Sequence, residues 1–212
     1  MNSEQLQRLG ELGVATVYEA SGREGLIEVP LMQLIPGSRV AGPARTVFCG
    51  QNDNLMVHAA IEQIQPGELV VLSMPEPTPV ALVGELLATQ IKVRKAAGIL
   101  VDAAVRDVEE LKELGLPIWT RFISVKGATK TKIGELNTTV SIGGVQIALS
   151  DIIVLDADGA VCIRRERAEE VLRASEERFE KETRLREKLS AGEMSYDLHG
   201  LREMVESKRR NP

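Results

Sequence analysis

Aromatic side chains are scarce in this chain, at 3% of 212 residues, too few for a platform on which nucleic-acid bases stack. Positive charge is not in surplus either. The formal net charge is −5, so the surface as a whole repels a phosphate backbone and no nucleic-acid partner is expected. Cysteine is nearly absent: Cys49 and Cys162 stand alone in the apolar contexts TVFCG and AVCIR. With no CxxC pair there is neither a zinc knuckle nor a dithiol motif, and both thiols are expected to be buried small hydrophobes in a reducing compartment. No apolar run reaches the roughly 18 residues of a membrane span. The opening MNSEQLQRLGELG lacks the apolar core of a signal peptide. A cytoplasmic location and no membrane partner are the expectation. GxSxG, Walker, GxGxxG and HExxH patterns are all missing, which disfavours serine hydrolases, P-loop enzymes, dinucleotide-binding dehydrogenases and zincins.

What is present is enough for one ordinary core: 43% of the residues are hydrophobic. The first 21 residues predict two short helices, with Gly13 between them and Gly22 closing the second. SRVAGPARTVFC reads as a strand interrupted near Gly42-Pro43. Asp53 or Asn54 can cap the short helix LMVHAAIEQI. ELVVLS and GILVDAA are continuous apolar runs of the kind buried on both faces of a sheet. A helical pattern from about Gly84 to Ala97 lies between them, and a turn and short helix (VRDVEELKELGL) lead on to a third strand, PIWTRF. This alternation predicts parallel βα units. Residues 125–164 read instead as strands and turns, with Gly143-Gly144 and Asp158-Gly159 as hairpin tips. A long charged helix then runs from Arg165 to Leu189, followed by a short helical tail. We read a single domain over residues 1–212, an α/β core at 1–164 carrying an attached β layer, and a helical arm at 165–212. There are no internal repeats.

The strongest local signal is VDAAVRDVEEL. Asp102 stands at the end of a buried strand, and Arg106-Asp107 opens the next helix; ligands gather at such carboxyl ends in open α/β sheets. A second strand-to-helix junction, PEPTPVALVGELLAT, supplies Gly84 and Glu85 near a helix start, where the N–H groups of Leu86 and Leu87 can hold a carboxylate. Side by side, the two junctions would offer Glu85 and Asp107 as oxygen ligands suited to Mg²⁺ or Mn²⁺ and Arg106 as an anion binder. A purely structural alternative stands beside this: Asp107-x-x-Glu110 has the spacing of a capping box, and Arg106 can pair with Glu109 or Glu110. Lys130, in KGATKTK, is either a solvated loop lysine, a carboxylate binder or a Schiff-base lysine. His58 reads as a helix-face histidine, and His199 has no assigned role. In EERFEKETRLREKL the i, i+4 pairs Glu177/Lys181, Glu180/Arg184 and Glu182/Arg186 mark a solvated helix face.

Several blocks in one order carry a resemblance over residues 12–206: ATVYEASGR, PGSRVAGPARTV, DNLMVHAAIEQIQPGELVV, GELLAT, VDAAVRDVEEL, LPIWTRFISVKGATK, DADGAVCI and MSYDLHGLRE. Together they resemble the class II pyruvate aldolases acting on 4-hydroxy-4-methyl-2-oxoglutarate and 4-carboxy-4-hydroxy-2-oxoadipate, whose fold is shared with regulator-of-ribonuclease-activity proteins. The resemblance implies a layered α/β/β sandwich of the swivelling β/β/α type with a long C-terminal helix. It implies retro-aldol release of pyruvate from a 2-oxo di- or tricarboxylate, with Mg²⁺ or Mn²⁺ and a secondary oxaloacetate decarboxylation. By position, Asp107 would bind the metal, Glu85 would hold a water beside it, and Arg106 would contact the keto or enolate oxygen. Gly84, Leu86, Leu87 and Lys130 would line the pyruvate pocket. Glu19, as a base, and Glu182, at the metal, would come from an adjacent subunit of a homotrimer or homohexamer. A non-enzymatic regulator that binds a ribonuclease or helicase, and a protein that is mainly an oxaloacetate decarboxylase, are the alternatives. The chain departs from many relatives in two loops, with Leu149-Ser150-Asp151 for Pro-Gly-Asp and Ala103 for a common glycine.

Overall fold

A computed structural model describes residues 1–210. Helix α1 (Ser3–Leu12) starts at a reciprocal cap: Asn2 Oδ1 accepts from Gln5 N and Gln5 Oε1 from Asn2 N, both at 2.9 Å. Gly13, at φ 82°, turns the chain into α2 (Val14–Ala20). The first sheet strands follow, β1 (Met32–Gln33) and β2 (Val40–Phe48), then α3 (Leu55–Ala60), β3 (Leu69–Ser73) and β4 (Ala81–Val83). Next come α4 (Glu85–Val93), β5 (Gly98–Val105), α5 (Val108–Leu114) and β6 (Ile118–Ile123). A run of short strands, β7 (Glu135–Leu136), β8 (Val140–Ile142), β9 (Val145–Ile147), β10 (Ile152–Asp156) and β11 (Gly159–Ile163), precedes the long helix α6 (Ala168–Ser190). Two short helices, α7 (Ser195–Leu198) and α8 (Leu201–Arg210), complete the described chain.

The sheet has nine strands with the order β1-β6-β5-β3-β2-β10-β11, β4 pairing with β5 and β7 with β2. The β2-β3, β3-β5 and β5-β6 pairs are parallel, as the alternating βα pattern implies. Side chains alternate across the sheet. On β5, Ile99, Val101, Ala103 and Val105 face a core shared with Val57 of α3, Leu87 and Ile91 of α4, and Leu111 of α5. Leu100 joins the opposite core, built with Trp119, Ile142 of β8 and Ile147 of β9. Helices thus cover one face and the β8-β9 hairpin the other, and the fold is the layered α/β class with a curled sheet and a long C-terminal helix. Trp119 is fully enclosed because its Nε1–H finds the Asp156 carbonyl at 2.8 Å. Both cysteines are buried, and burial pushes each thiol up to about 12, so neither is ionised near neutrality.

Three sequence expectations are corrected. The β2 strand runs unbroken through Gly42-Pro43, because Pro43 stands where the strand changes partners, β10 up to Pro43 and β3 from Ala44. Its missing N–H therefore falls between two ladders. Helix α4 ends at Val93 rather than near Ala97, since Lys95 takes a left-handed turn (φ 62°) that leads into β5. Strand β5 continues three residues past Asp102, which is buried and paired with Arg121 at 3.0 Å. Burial raises the Asp102 carboxyl above its ordinary value, and the Arg121 hydrogen bond and charge oppose that rise.

The chain separates into two compact units, Met1–Ser175 and a second beginning at Glu176. The buried positions of α6 (Ala168, Val171, Leu172 and Ser175) all precede that boundary. In the second unit Glu182 pairs with Arg178 at 2.9 Å, one turn back along the helix, and Arg184 pairs with Glu180 at 3.7 Å. No described helix is long and apolar enough to cross a membrane.

Ser150 holds a left-handed backbone (φ 68°) in the loop before β10. A side chain there strains the backbone, which glycine relieves. Ser150→Gly is expected to stabilise the protein by about 0.5–1 kcal/mol, raising Tm by roughly 1–4 °C. A calorimetric Tm at or below that of the unmodified protein would count against the strain.

Candidate active site

Two strand-to-helix junctions meet because β4 continues the lane of β3 beside β5: β5 pairs with β3 at Gly98–Val101 and with β4 at Ala104 and Val105. The backbone locks the two exits together, with Arg106 N donating to the Val83 carbonyl at 3.1 Å. Asp107 then occupies the N-cap position of α5 without capping it; no hydrogen bond runs from α5 to its side chain. Its backbone is left-handed (φ 61°, ψ 47°), and the carboxylate is turned across to α4, where Oδ2 accepts from Glu85 N at 3.0 Å. The capping-box alternative for Asp107 and Glu110 is therefore overturned. An aspartate in this conformation costs backbone strain that a mere cap would not require.

Arg106 lies against the same oxygen, Nε 3.5 Å from Asp107 Oδ2. Gly84 permits this packing: a Cβ there would fall 2.4 Å from Asp107 Oδ2 and 3.0 Å from Arg106 Nε. Gly127 makes room on another side, where a Cβ would meet Arg106 Nη1 at 3.0 Å. Above Gly84, the amides of Leu86 and Leu87 in the first turn of α4 find no acceptor among the described residues, and the helix dipole favours an anion there.

The third wall is the loop after β6. Ala81 N donates to the Lys126 carbonyl at 2.7 Å, and Asn54 N to that of Thr129 at 2.9 Å. Asp53, with no solvent exposure, clamps the loop: its carboxylate takes Thr129 Oγ1 (2.6 Å), Thr131 N (2.7 Å) and Lys132 N (3.1 Å), and also caps Leu55 N (2.9 Å). Burial by itself would raise this carboxyl, but the four hydrogen bonds outweigh it and hold the group well below the usual carboxylate range. The clamp places Lys130 at the cavity. The resulting pocket, about 150 Å³, is lined by Gly84, Leu86, Leu87, Arg106, Asp107 and Lys130, together with Asn54, His58, Ala81 and Ala128.

Residues 14–162 match the family model described as RraA-like, Aldolase/RraA. The chain belongs to the RraA-like family. It is 37% identical over 140 residues, 66% of this chain and 67% of the other, to a Halalkalibacterium halodurans protein named "Putative 4-hydroxy-4-methyl-2-oxoglutarate aldolase". Among solved structures it resembles Streptomyces coelicolor RraAS2, described as an unusual member of the RNase ES inhibitor RraA family, at 27% identity and TM-score 0.75 over 87% of this chain and 97% of that one. It also resembles the RNA-processing inhibitor RraA from Thermus thermophilis, at 27% identity and TM-score 0.61 over 66% of this chain and 84% of that one. The RraA-like match spans both junctions and the Lys130 loop.

Of the residues singled out from the RraA-like sequence, Gly84, Leu86, Leu87, Arg106, Asp107 and Lys130 come together at one cavity. Glu85 contributes its backbone N–H to the site, but its carboxylate turns along α4 to accept from Thr89 Oγ1 at 2.8 Å. Glu19 lies on α2, paired with Arg23 at 3.1 Å, and is not among the lining residues. Glu182 lies in the second unit, paired with Arg178. The sequence reading missed Asn54 as a lining residue, since a helix-preceding Asn looks like a cap; the cap is Asp53. It also gave His58 only its helix face, which the structure shows to be a pocket wall.

Gly84→Ala is expected to push the Asp107 carboxylate off its bond to Glu85 while leaving the sheet intact. Ligand affinity at the site should fall at least 10-fold in titrations, with an unchanged circular dichroism spectrum. Wild-type affinity in this variant would mean that the close packing has no functional role.

Proposed function

We propose that the chain is a divalent-metal-dependent class II aldolase that cleaves a 4-hydroxy-2-oxo acid, such as 4-hydroxy-4-methyl-2-oxoglutarate or 4-carboxy-4-hydroxy-2-oxoadipate, and releases pyruvate. The observation that carries this reading is the convergence of Arg106, Asp107 and the open Leu86 and Leu87 amides on one small cavity. Its volume of about 150 Å³ suits an acid the size of pyruvate, below the roughly 300–1,000 Å³ of pockets for larger ligands.

The donor set fits Mg²⁺ or Mn²⁺. Asp107 Oδ1 has no hydrogen-bond partner among the described residues and belongs to a half-exposed wall. No group of three His, Cys, Asp or Glu side chains that could hold a metal ion by themselves exists among the described residues. One carboxylate, with the remaining positions left to water and substrate oxygens, is a usual way of holding these hard cations. When bound, such an ion supplies Lewis acidity toward the 2-oxo oxygen.

The chain's own groups then have separable tasks. The Leu86 and Leu87 amides hold the carboxylate of the pyruvate half at the N-terminus of α4. Arg106 neutralises the negative charge that grows on the keto oxygen as the C3–C4 bond breaks and its electron pair enters the enolate. The C4 hydroxyl loses its proton and becomes a carbonyl, and protonation at C3 completes pyruvate. Lys130, which has no acceptor among the described residues, meets the distal carboxylate. Glu19 and Glu182 enter this reading only from a neighbouring protomer of a homotrimer or homohexamer, with Glu19 as the base. Loss of CO₂ from oxaloacetate passes through the same enolate, so a secondary decarboxylation accompanies cleavage.

A second reading, a non-enzymatic regulator of RNA processing, is favoured by the two RraA neighbours described as inhibitors. Pyruvate release separates them. With Mg²⁺ or Mn²⁺ present, release from either hydroxy-oxo acid is expected, and EDTA should abolish it. Arg106→Ala and Asp107→Ala should each lower kcat/KM by about 10²–10³ while the protein stays folded. No release from these acids or from oxaloacetate, with either metal, would leave the regulator.

A further inference from the structure

One residue lining the cavity carries a polar atom that the pyruvate half leaves unexplained. Asn54 is 8% exposed, lines the pocket, and its Oδ1 is buried with no hydrogen-bond partner. The amide cannot be turned over to remedy this. Nδ2 donates to the Leu82 carbonyl at 3.0 Å, and exchanging the two atoms would set oxygen against oxygen. The backbone on either side is equally fixed, with Asn54 N bonded to the Thr129 carbonyl at 2.9 Å and Val57 N bonded to the Asn54 carbonyl at 3.1 Å. A buried acceptor without a donor is destabilising, and such a group in a folded protein calls for a water or a ligand.

The chemistry of the cavity says which ligand atom would satisfy it. Arg106, Lys130 and the Leu86 and Leu87 amides are all donors, matched to carboxylate and keto oxygens. Asp107 Oδ2 is engaged with Glu85 N, and its open Oδ1 is the oxygen that would hold the metal in the aldolase reading. An ionised 4-hydroxy-2-oxo acid has oxygens that only accept, except at one place, the C4 hydroxyl. We infer that Asn54 is the specificity-determining residue for this substrate class, its Oδ1 accepting the C4 hydroxyl hydrogen in the bound acid before that proton passes to the base. The inference rests on the aldolase reading for the identity of the substrate. It goes further in assigning the hydroxyl end of the molecule, where a 2-oxo acid without that group would leave Oδ1 unpaired. Discrimination by an unpaired buried group is how a site built around a hydroxyl rejects its deoxy analogue.

The test uses two reduced ligands that cannot undergo retro-aldol cleavage, 2,4-dihydroxyglutarate and 2-hydroxyglutarate, which differ only in the C4 hydroxyl. Their binding to the Mg²⁺-loaded full chain is measured by calorimetry for the wild type and for Asn54→Leu and Asn54→Ala. Any variant that keeps the wild-type circular dichroism serves. The ratio of the two affinities within each protein cancels a general loosening of the site. The wild type is expected to prefer the dihydroxy acid by about 10-fold or more, and the variants by less than about 3-fold. A wild type without that preference, or a variant that retains it in full, would overturn the assignment and leave Asn54 as a tie to the Leu82 carbonyl around a trapped water. Pyruvate release by the wild type, measured separately, decides the aldolase reading whichever way the ratios fall.

Discussion

The site depends on a single constraint, the lateral pairing of β4 and β5 just before their helices begin. That pairing, closed by Arg106 N on the Val83 carbonyl at 3.1 Å, brings the start of α4 and the start of α5 close enough for one side chain to bridge them. Asp107 is that side chain. Its carboxylate satisfies the Glu85 amide, one of the N–H groups that a helix start leaves without an intrahelical partner, so an acid is held at the mouth of α4 by the same bond that ties the junctions. The Leu86 and Leu87 amides remain open for a ligand. Gly84 and Gly127 are the empty space that allows Arg106 into the same volume.

The strain sits where the chemistry is proposed. Asp107 is one of six non-glycine residues with positive φ among the described residues, and its left-handed backbone aims the carboxylate away from its own helix. Asp53 shows the opposite solution: a carboxylate with every bond directed to the protein, holding the Lys130 loop against the 52–54 turn. One acid is satisfied and structural, and the other keeps an oxygen open.

Much of this was legible in the sequence, for identifiable reasons. Apolar runs such as ELVVLS and GILVDAA read as strands covered on both faces, and their alternation with helical patterns implies parallel pairing. Arg106-Asp107 and Gly84 were found because each follows a buried strand. The partner change at Pro43 was not legible, since it depends on β10, more than a hundred residues away. The side-chain direction of Asp107 was likewise hidden: a capping box and a cross-junction bridge share one spacing, and only φ separates them. Asn54 was missed because the neighbour that caps the helix is Asp53, and the orphaned oxygen exists only once β4 supplies the Leu82 carbonyl.

A fold shared by proteins described as aldolases and as RNA-processing inhibitors does not fix activity; the open oxygen of Asp107 is what would distinguish the two here. The most direct measurement is Mn²⁺ binding followed by electron paramagnetic resonance, with and without pyruvate, in the wild type and in Asp107→Ala. The account predicts that the wild type binds Mn²⁺, that pyruvate changes the spectrum of the bound ion, and that Asp107→Ala weakens binding at least 10-fold. Equal Mn²⁺ binding by the two proteins, or a spectrum indifferent to pyruvate, would contradict it.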